Sequence, residues 1–231
     1  MTYGIIAAKG VEAEAIEAAM TETKKETVGT IDFVLGRIGE SRVVLATCGV
    51  GKVFAAMCAQ TMILTYQPDV VVNTGVGGTL TAELGIGDVA VSTGVVQHDM
   101  DTSAVGDPVG MISGINQILL PASEELTERM CEAAQATGLH YVRGVIASGD
   151  RFVNDAATKE RITALFGAIA CEMEGAAIGH VCYVNGVPFT VVRSISDSAD
   201  GHACEDYPAF LLRAAHQSAA LVVRLCGNGE I

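Results

Sequence analysis

Short apolar runs rich in β-branched residues recur along the whole chain, and most are followed by a longer stretch dominated by Ala, Leu and Glu. Strands are expected at Tyr3 to Ala8, Val43 to Thr47, Val70 to Thr74, Val89 to Val91, Val142 to Ala147, Ile169 to Glu172 and Phe189 to Ile195. These runs are continuous rather than alternating, so both faces of each strand are buried, and that requires helices above and below the sheet. Helices are expected at Val11 to Thr23, Lys52 to Thr65, Ser123 to Thr137, Asp155 to Phe166, Glu174 to Asn185 and Asp206 to Leu225. The alternation specifies an α/β fold: one domain over residues 1–231, with a parallel or mixed sheet flanked by helices. No repeat, low-complexity tract or linker-like shift divides the chain.

Composition narrows the function classes. A chain of 231 residues, half of them apolar, buries roughly 70% of its unfolded surface and needs neither disulfide nor structural metal to fold. With 27 acidic against 14 basic residues the net charge is -13, which repels phosphate backbones and excludes nucleic acid as an expected partner. The seven cysteines are scattered, odd in number and without a CxxC pair, so reduced thiols in a cytoplasm are expected. Met1 to Lys9 carries no basic leader, and no secretion signal is expected. The longest uncharged stretch, Gly175 to Val192, is broken by His180, Asn185, Gly186 and Pro188, so no membrane span is expected.

Familiar catalytic motifs fail position by position. Gly49-Val50-Gly51-Lys52-Val53 ends like a phosphate loop, but Ala46 stands in place of its first glycine and Val53 in place of the magnesium-binding hydroxyl. Gly75-Val76-Gly77-Gly78 follows a strand, yet Leu80 occupies the place of the third glycine of a dinucleotide fingerprint. Ser148 lacks the glycine of a nucleophile elbow, because Ile146 stands there. No histidine falls in HExxH, and His98-Asp99-Met100-Asp101 reads as a polar loop, so neither metal nor cofactor is expected.

What remains is a set of carboxylates in apolar surroundings. Glu172 and Glu174 follow a buried-type strand at its carboxyl end, where ligands bind in α/β sheets. Helix capping accounts for one of them through the dipole, at about 0.3–1 kcal/mol, and less well for both. Val191-Val192-Arg193-Ser194-Ile195-Ser196-Asp197 brings Arg193 and Asp197 to the same edge, where an internal Arg-Asp ion pair is the plain structural alternative. Glu12, just past the first strand, would alone be a solvated helix residue.

Together these residues resemble the nucleosidases that cleave 5'-methylthioadenosine and S-adenosylhomocysteine, within the purine nucleoside phosphorylase-like fold. The resemblance covers nearly the whole chain and implies a single three-layer domain whose central sheet is mixed, largely parallel and flanked by helices. It runs from Gly4-Ile5-Ile6-Ala7-Ala8 and Glu12 through the 49–53 turn, Pro68 to Gly75, His98-Asp99-Met100-Asp101, Arg143-Gly144, Ser148-Gly149-Asp150 and Phe152. It continues through Glu172-Met173-Glu174 and Val187-Pro188-Phe189 to Arg193-Ser194-Ile195-Ser196-Asp197.

The resemblance implies roles for single residues. Asp197 would protonate the purine N7, with a pKa raised by burial and nearby carboxylates and opposed by Arg193 if the two pair closely. Glu12 would activate water, and Glu174 would grip the ribose hydroxyls while favouring a cationic transition state. Met173 would pack on the sugar and Phe152 on the base, with the Val153 backbone reading the purine edge. Ser196 would position Asp197, and Glu172 and Arg193 would complete a polar floor. Val50, Val76, Tyr207, Phe210 and Lys9 are the remaining expected substrate contacts. A homodimer is implied, with loop 98–113 reaching the neighbouring site.

Departures from the family pattern mark the substrate question. Val76 removes a hydroxyl near the ribose or the water. At the 5' subsite Lys9 replaces an apolar residue, Val105 an aromatic one and Ser113 a proline, while Tyr207 and Phe210 keep aromatic character. A solvated Lys9 is the plain expectation; the alternative is a cation that pairs with a carboxylate on homocysteine or on the benzoate of futalosine-type nucleosides. Two further rivals are a phosphate-dependent purine nucleoside phosphorylase, which needs arginines for phosphate, and a purine-binding protein without catalysis.

Overall fold

Strand β5 (Val70–Thr79) organises the sheet, because its ten residues reach three neighbours. Along its first part it pairs in parallel with β1 (Thr2–Ala7) on one side and β10 (Phe189–Asp197) on the other. At its far end Gly78 and Thr79 pair antiparallel with β9 (Ala168–Glu172). The sheet continues from β9 through β8 (Tyr141–Ser148) and β6 (Val89–Gln97) back to β10, which closes a five-stranded ring. An open wing leaves β1 through β4 (Ser41–Thr47) and β3 (Ile31–Ile38) to β2 (Thr21–Val28), and the two-residue β7 (Leu120–Pro121) pairs with β6. This is a computed structural model, and it describes residues 1–227, the side chain of Glu205 excepted. The sheet is mixed as expected; antiparallel pairs come from the wing and from the closure of the ring, and among the described residues they are as numerous as parallel ones.

Two helical layers bury the two faces. Ile6 of β1 points into a core shared with α2 (Lys52–Tyr66) and α5 (Gly175–Asn185). Tyr3, Ile5 and Ala7 point into the opposite core, shared with α1 (Gly10–Ala18), α3 (Glu124–Ala136) and α6 (Ala203–Cys226). The strand's period of two thus feeds both layers, which is why its sequence shows no polar alternation. A smaller cluster lies under α4 (Ala156–Phe166). All nine residues of β10 are buried.

The structure corrects several element boundaries. The helix expected from Val11 to Thr23 stops at Ala18, and Thr21 opens β2. Thr21-Glu22-Thr23-Lys24-Lys25-Glu26-Thr27-Val28 forms an edge strand with mostly exposed side chains, so it carries no apolar signal, and the wing strand β3 was likewise not expected. β5 and β6 run well past the expected Thr74 and Val91, and α6 begins three residues before Asp206. The extra length of β5 carries the glycines that border the pocket.

Candidate active site

The parallel strands β1, β5 and β10 end at one edge of the sheet, and β9 delivers Glu172 beside them. A cavity of about 410 Å³ opens there, within the range of small-molecule sites. Its walls include Asp197, Glu12, Glu174, Glu172, Met173 and Ser196, together with Phe152, Val153, Val50, Val76, Tyr207 and Lys9. Of the expected site residues, Arg193 and Phe210 lie outside the lining. Arg193 is buried beneath the floor. Phe210 is half-buried three residues beyond Tyr207, about 4.5 Å farther along α6, and Pro208 lines the wall instead.

Asp197 owes its aim to an irregularity. The register of β10 against β5 shifts between Ile195 and Asp197, so the strand's last carboxylate is turned toward Gly78. A Cβ on Gly78 would stand 2.6 Å from Asp197 Oδ1; only glycine leaves room for the carboxyl. Ala199 N–H donates to Oδ1 and Ser196 Oγ to Oδ2, each at 2.9 Å. Burial pushes the carboxyl above its ordinary value against these two bonds, and Asp206 and Asp200 add to the rise. The Arg193–Asp197 ion pair left open by the sequence does not form: Arg193 turns toward Glu172.

Glu12 is buried rather than solvated, at 4% exposure. It sits in the first turn of α1 and folds back on the strand end, where its Oε2 accepts the backbone N–H groups of Ala8 and Lys9, both at 2.9 Å. Its Oε1 faces Val76 N–H at 3.3 Å, and a Cβ on Gly75 would meet it at 2.7 Å. Val76 therefore serves the carboxylate through its backbone.

Glu172 and Glu174 divide the two explanations offered for them. Glu172 is the cap: it accepts from the N–H groups of Glu174 and Gly175 at the start of α5, at 2.9 and 2.8 Å, and from Ser148 Oγ. It also pairs with Arg193 Nη2, whose guanidinium is fixed by Asn73 Oδ1 and by the Val192 carbonyl at 2.9 Å. These partners hold Glu172 below its usual range despite full burial. Glu174 accepts one backbone bond, from Gly51 at 2.9 Å, and lies 3.9 Å from Arg193. Burial and the adjacent Glu172 push it up to about 7.

At the aromatic wall, Phe152 and Tyr207 meet edge to face with centroids 5.5 Å apart. The Lys9 ammonium donates to the Tyr207 hydroxyl, so this lysine is not simply solvated. Residues that sequence reasoning missed are Ala8, Gly77, Gly78, Arg151, Cys171, Cys204 and Pro208 in the lining, and Ser148, Asn73 and Gly51 as supports. Most are chain neighbours of residues already singled out; Ser148, whose sequence context excludes a nucleophile elbow, holds a carboxylate. Among the described residues no cluster of three or more His, Cys, Asp or Glu side chains is placed to hold a metal ion, and no helix is long and apolar enough to cross a membrane.

Comparison with known proteins agrees in sequence and in shape. The model of the phosphorylase superfamily matches residues 2–226. A 5'-methylthioadenosine/S-adenosylhomocysteine nucleosidase of Shewanella oneidensis is 36% identical over 226 residues, 97% of this chain and 96% of its own. The nucleosidase of that name from Neisseria meningitidis, solved with methylthio-immucillin-A, superposes with a TM-score of 0.95 at 34% identity, over 98% of this chain and 99% of its own. A futalosine hydrolase of Helicobacter pylori superposes with a TM-score of 0.93 at 35% identity, over 97% of both chains. The closed ring with its open wing, the carboxylates at the strand ends and these full-length matches together place the chain in the 5'-methylthioadenosine/S-adenosylhomocysteine nucleosidase family of the phosphorylase superfamily.

Proposed function

We propose that this protein hydrolyses the N-glycosidic bond of 5'-methylthioadenosine and S-adenosylhomocysteine, releasing adenine and the 5-thioribose product, as one catalytic domain. The observation that carries the reading is one cavity whose walls combine a carboxyl biased toward its protonated form, Asp197, with a backbone-clamped carboxylate, Glu12, and with Glu174. The C1'–N9 bond breaks as its electron pair moves into the purine, and Asp197 delivers a proton to N7. Water attacks C1', and Glu12 takes its proton. The ribose gains oxocarbenium character between these events, and the anionic form of Glu174 stabilises that charge while holding the sugar hydroxyls. Met173 packs on the sugar, Phe152 stacks on the base, Val153 offers its backbone to the purine edge, and Ser196 orients Asp197.

The rival chemistries are distinguished by the cations. A phosphorylase must hold phosphate beside the sugar, but both arginines here are committed, Arg193 to Glu172 and Asn73 and Arg151 to Asp155, which leaves Lys9 as the one lining cation with no acidic partner among the described residues. A purine-binding protein has no need of three carboxylates at the reacting bond. The deciding experiment is adenine release from methylthioadenosine, S-adenosylhomocysteine and 6-amino-6-deoxyfutalosine, with and without phosphate. Phosphate-independent release from the thio-nucleosides is expected. Release from the futalosine analogue alone would move the enzyme to that second reading, which the Helicobacter pylori structure favours.

The assembly and setting follow the same reading. Val105, in the turn Ser103–Val105 of loop 98–113, is 82% exposed, and Val53 and Phe54 are exposed at the start of α2. Such apolar side chains suit a homodimer in which loop 98–113 lies near the neighbouring site. Sedimentation giving twice the 23.9 kDa chain mass is the expected result. The seven free thiols suit a reducing cytoplasm, and the reaction suits methionine salvage.

A further inference from the structure

Once base and sugar are assigned as above, the stretch of the cavity around Lys9 and Tyr207, beside Glu12, is left without a role. Among the described residues two cations line the cavity, and they differ. Arg151 is more than half exposed and already pairs with Asp155 at 2.8 Å. Lys9 is half-buried, and among the described residues no carboxylate lies within salt-bridge distance of it. Its ammonium donates to the Tyr207 hydroxyl and stands 4.8 Å from the centre of that ring. An ammonium has three donors, and a phenol oxygen satisfies one of them.

Tyr207 is itself fixed by its edge contact with Phe152, so the lysine is tethered in the cavity rather than free to swing into water. Lys9 is also the residue that precedes α1, and its backbone N–H holds Glu12. Its side chain is thereby anchored from both ends, next to the sugar position. In a chain of net charge -13, a cation kept at a binding cavity with no acidic partner among the described residues is arranged to receive one.

We propose that Lys9, tethered by Tyr207, is a specificity-determining residue that pairs with a carboxylate at the end of the substrate's 5' substituent. The inference rests on the nucleosidase reading and sharpens it: the favoured substrates are 5'-substituted adenine nucleosides that carry an acid, and a purely alkyl substituent leaves the lysine unanswered. The acid has two candidate sources, the amino-acid carboxylate of S-adenosylhomocysteine and an aromatic carboxylate of the futalosine type, which share the same chemistry.

The test compares 5'-(3-carboxypropylthio)adenosine with its primary amide, which removes the charge and keeps the length. The native enzyme is expected to favour the acid in kcat/KM by roughly tenfold or more, mainly through KM, with the preference shrinking as salt is raised. Lys9→Met should bring the ratio to about one, and Lys9→Arg should restore most of it. A native ratio near one, or a ratio unchanged in Lys9→Met, overturns the proposal. The same ratio read as Kd by calorimetry requires no turnover. A chain that binds these nucleosides but releases no adenine, from methylthioadenosine included, therefore sinks the nucleosidase reading while the ratio still decides the role of Lys9. S-Adenosylhomocysteine and 6-amino-6-deoxyfutalosine, run beside the pair, identify the source by which of them loses more in Lys9→Met.

Discussion

The two ends of the cavity, which we assign to base and sugar, are built from the same kind of side chain and treat it in opposite ways. At the sugar end Arg193 reaches Glu172, with Glu174 3.9 Å away, and the Glu172 carboxyl is held in its charged form. At the base end Asp197, on the same strand and four residues later, has no ion pair among the described residues, and its carboxyl is biased toward the proton. The difference lies in which way one guanidinium turns. A single buried arginine, turned wholly to one end, lets one strand hold a charged carboxylate there and end at the other in a carboxyl whose pKa burial raises.

The sharpest way to break this contrast is to remove the proposed proton donor. Asp197→Asn keeps the shape and can still bond to Ser196 and Ala199 but has no acidic proton, and kcat is expected to fall by about a thousandfold or more. Calorimetry with methylthioadenosine should still show binding. If the variant turned over within about tenfold of the native enzyme, protonation would have to come from elsewhere and the assignment of the two ends would be wrong.

Removing the arginine tests the other end. Arg193→Met leaves Glu172 fully buried without its counter-charge, and the expected loss of stability is about 3–5 kcal/mol by denaturant unfolding. A loss under about 1 kcal/mol would mean that the bonds from Ser148 and the start of α5 suffice to hold the Glu172 charge.

The two ends were not equally legible in the sequence. The buried strands announce themselves by continuous apolar runs, and the carboxylates at their ends stand out against those runs, so Glu172, Glu174 and Asp197 could be named. The partner of Arg193 could not, because spacing puts Arg193 and Asp197 on one strand and says nothing of Asn73 and Glu172, which arrive from β5 and β9. Pattern alone makes Glu12 a solvated helix residue and only the family resemblance points to it, because its burial depends on backbone N–H groups, which leave no trace in side-chain pattern. The β2–β3 hairpin was hidden for the opposite reason: its outer strand faces water on both sides and has no hydrophobic period to detect. Phe210 was misplaced because aromatic character specifies no position along a helix.

A smaller perturbation of the base end is steric. Gly78→Ala places a methyl group 2.6 Å from Asp197 Oδ1 and 2.9 Å from the Ala199 side chain, so the carboxyl must shift. Misplacing a proton donor by a fraction of an ångström to an ångström is expected to lower kcat by about 10–100-fold. Far-ultraviolet circular dichroism should stay native. Native kcat in this variant would show that the acid tolerates movement and that the β10 irregularity is not what aims it.

The smallest effect expected comes from Glu174, which stands between the two regimes. Its carboxyl, ordinarily at 4.5, is pushed up to about 7 because burial and Glu172 outweigh the Arg193 charge. A carboxyl with a raised folded value binds its proton more tightly in the folded chain, so its stabilising contribution is full at low pH and is lost as pH rises from about 4.5 through about 7. Glu174→Gln is neutral at every pH and suffers no such loss, yet its side-chain oxygen can still accept from Gly51. Its Tm should therefore gain on the native Tm between pH 5 and pH 8, by about 2–4 °C for each kcal/mol involved in a chain of this length. Under the proposed mechanism activity should run the other way, because the anion that costs stability above pH 7 is the form assigned to the cationic sugar. A Tm difference constant across that range would show that Arg193 answers both glutamates, and the division between the two ends would then lie between Glu174 and Asp197 alone.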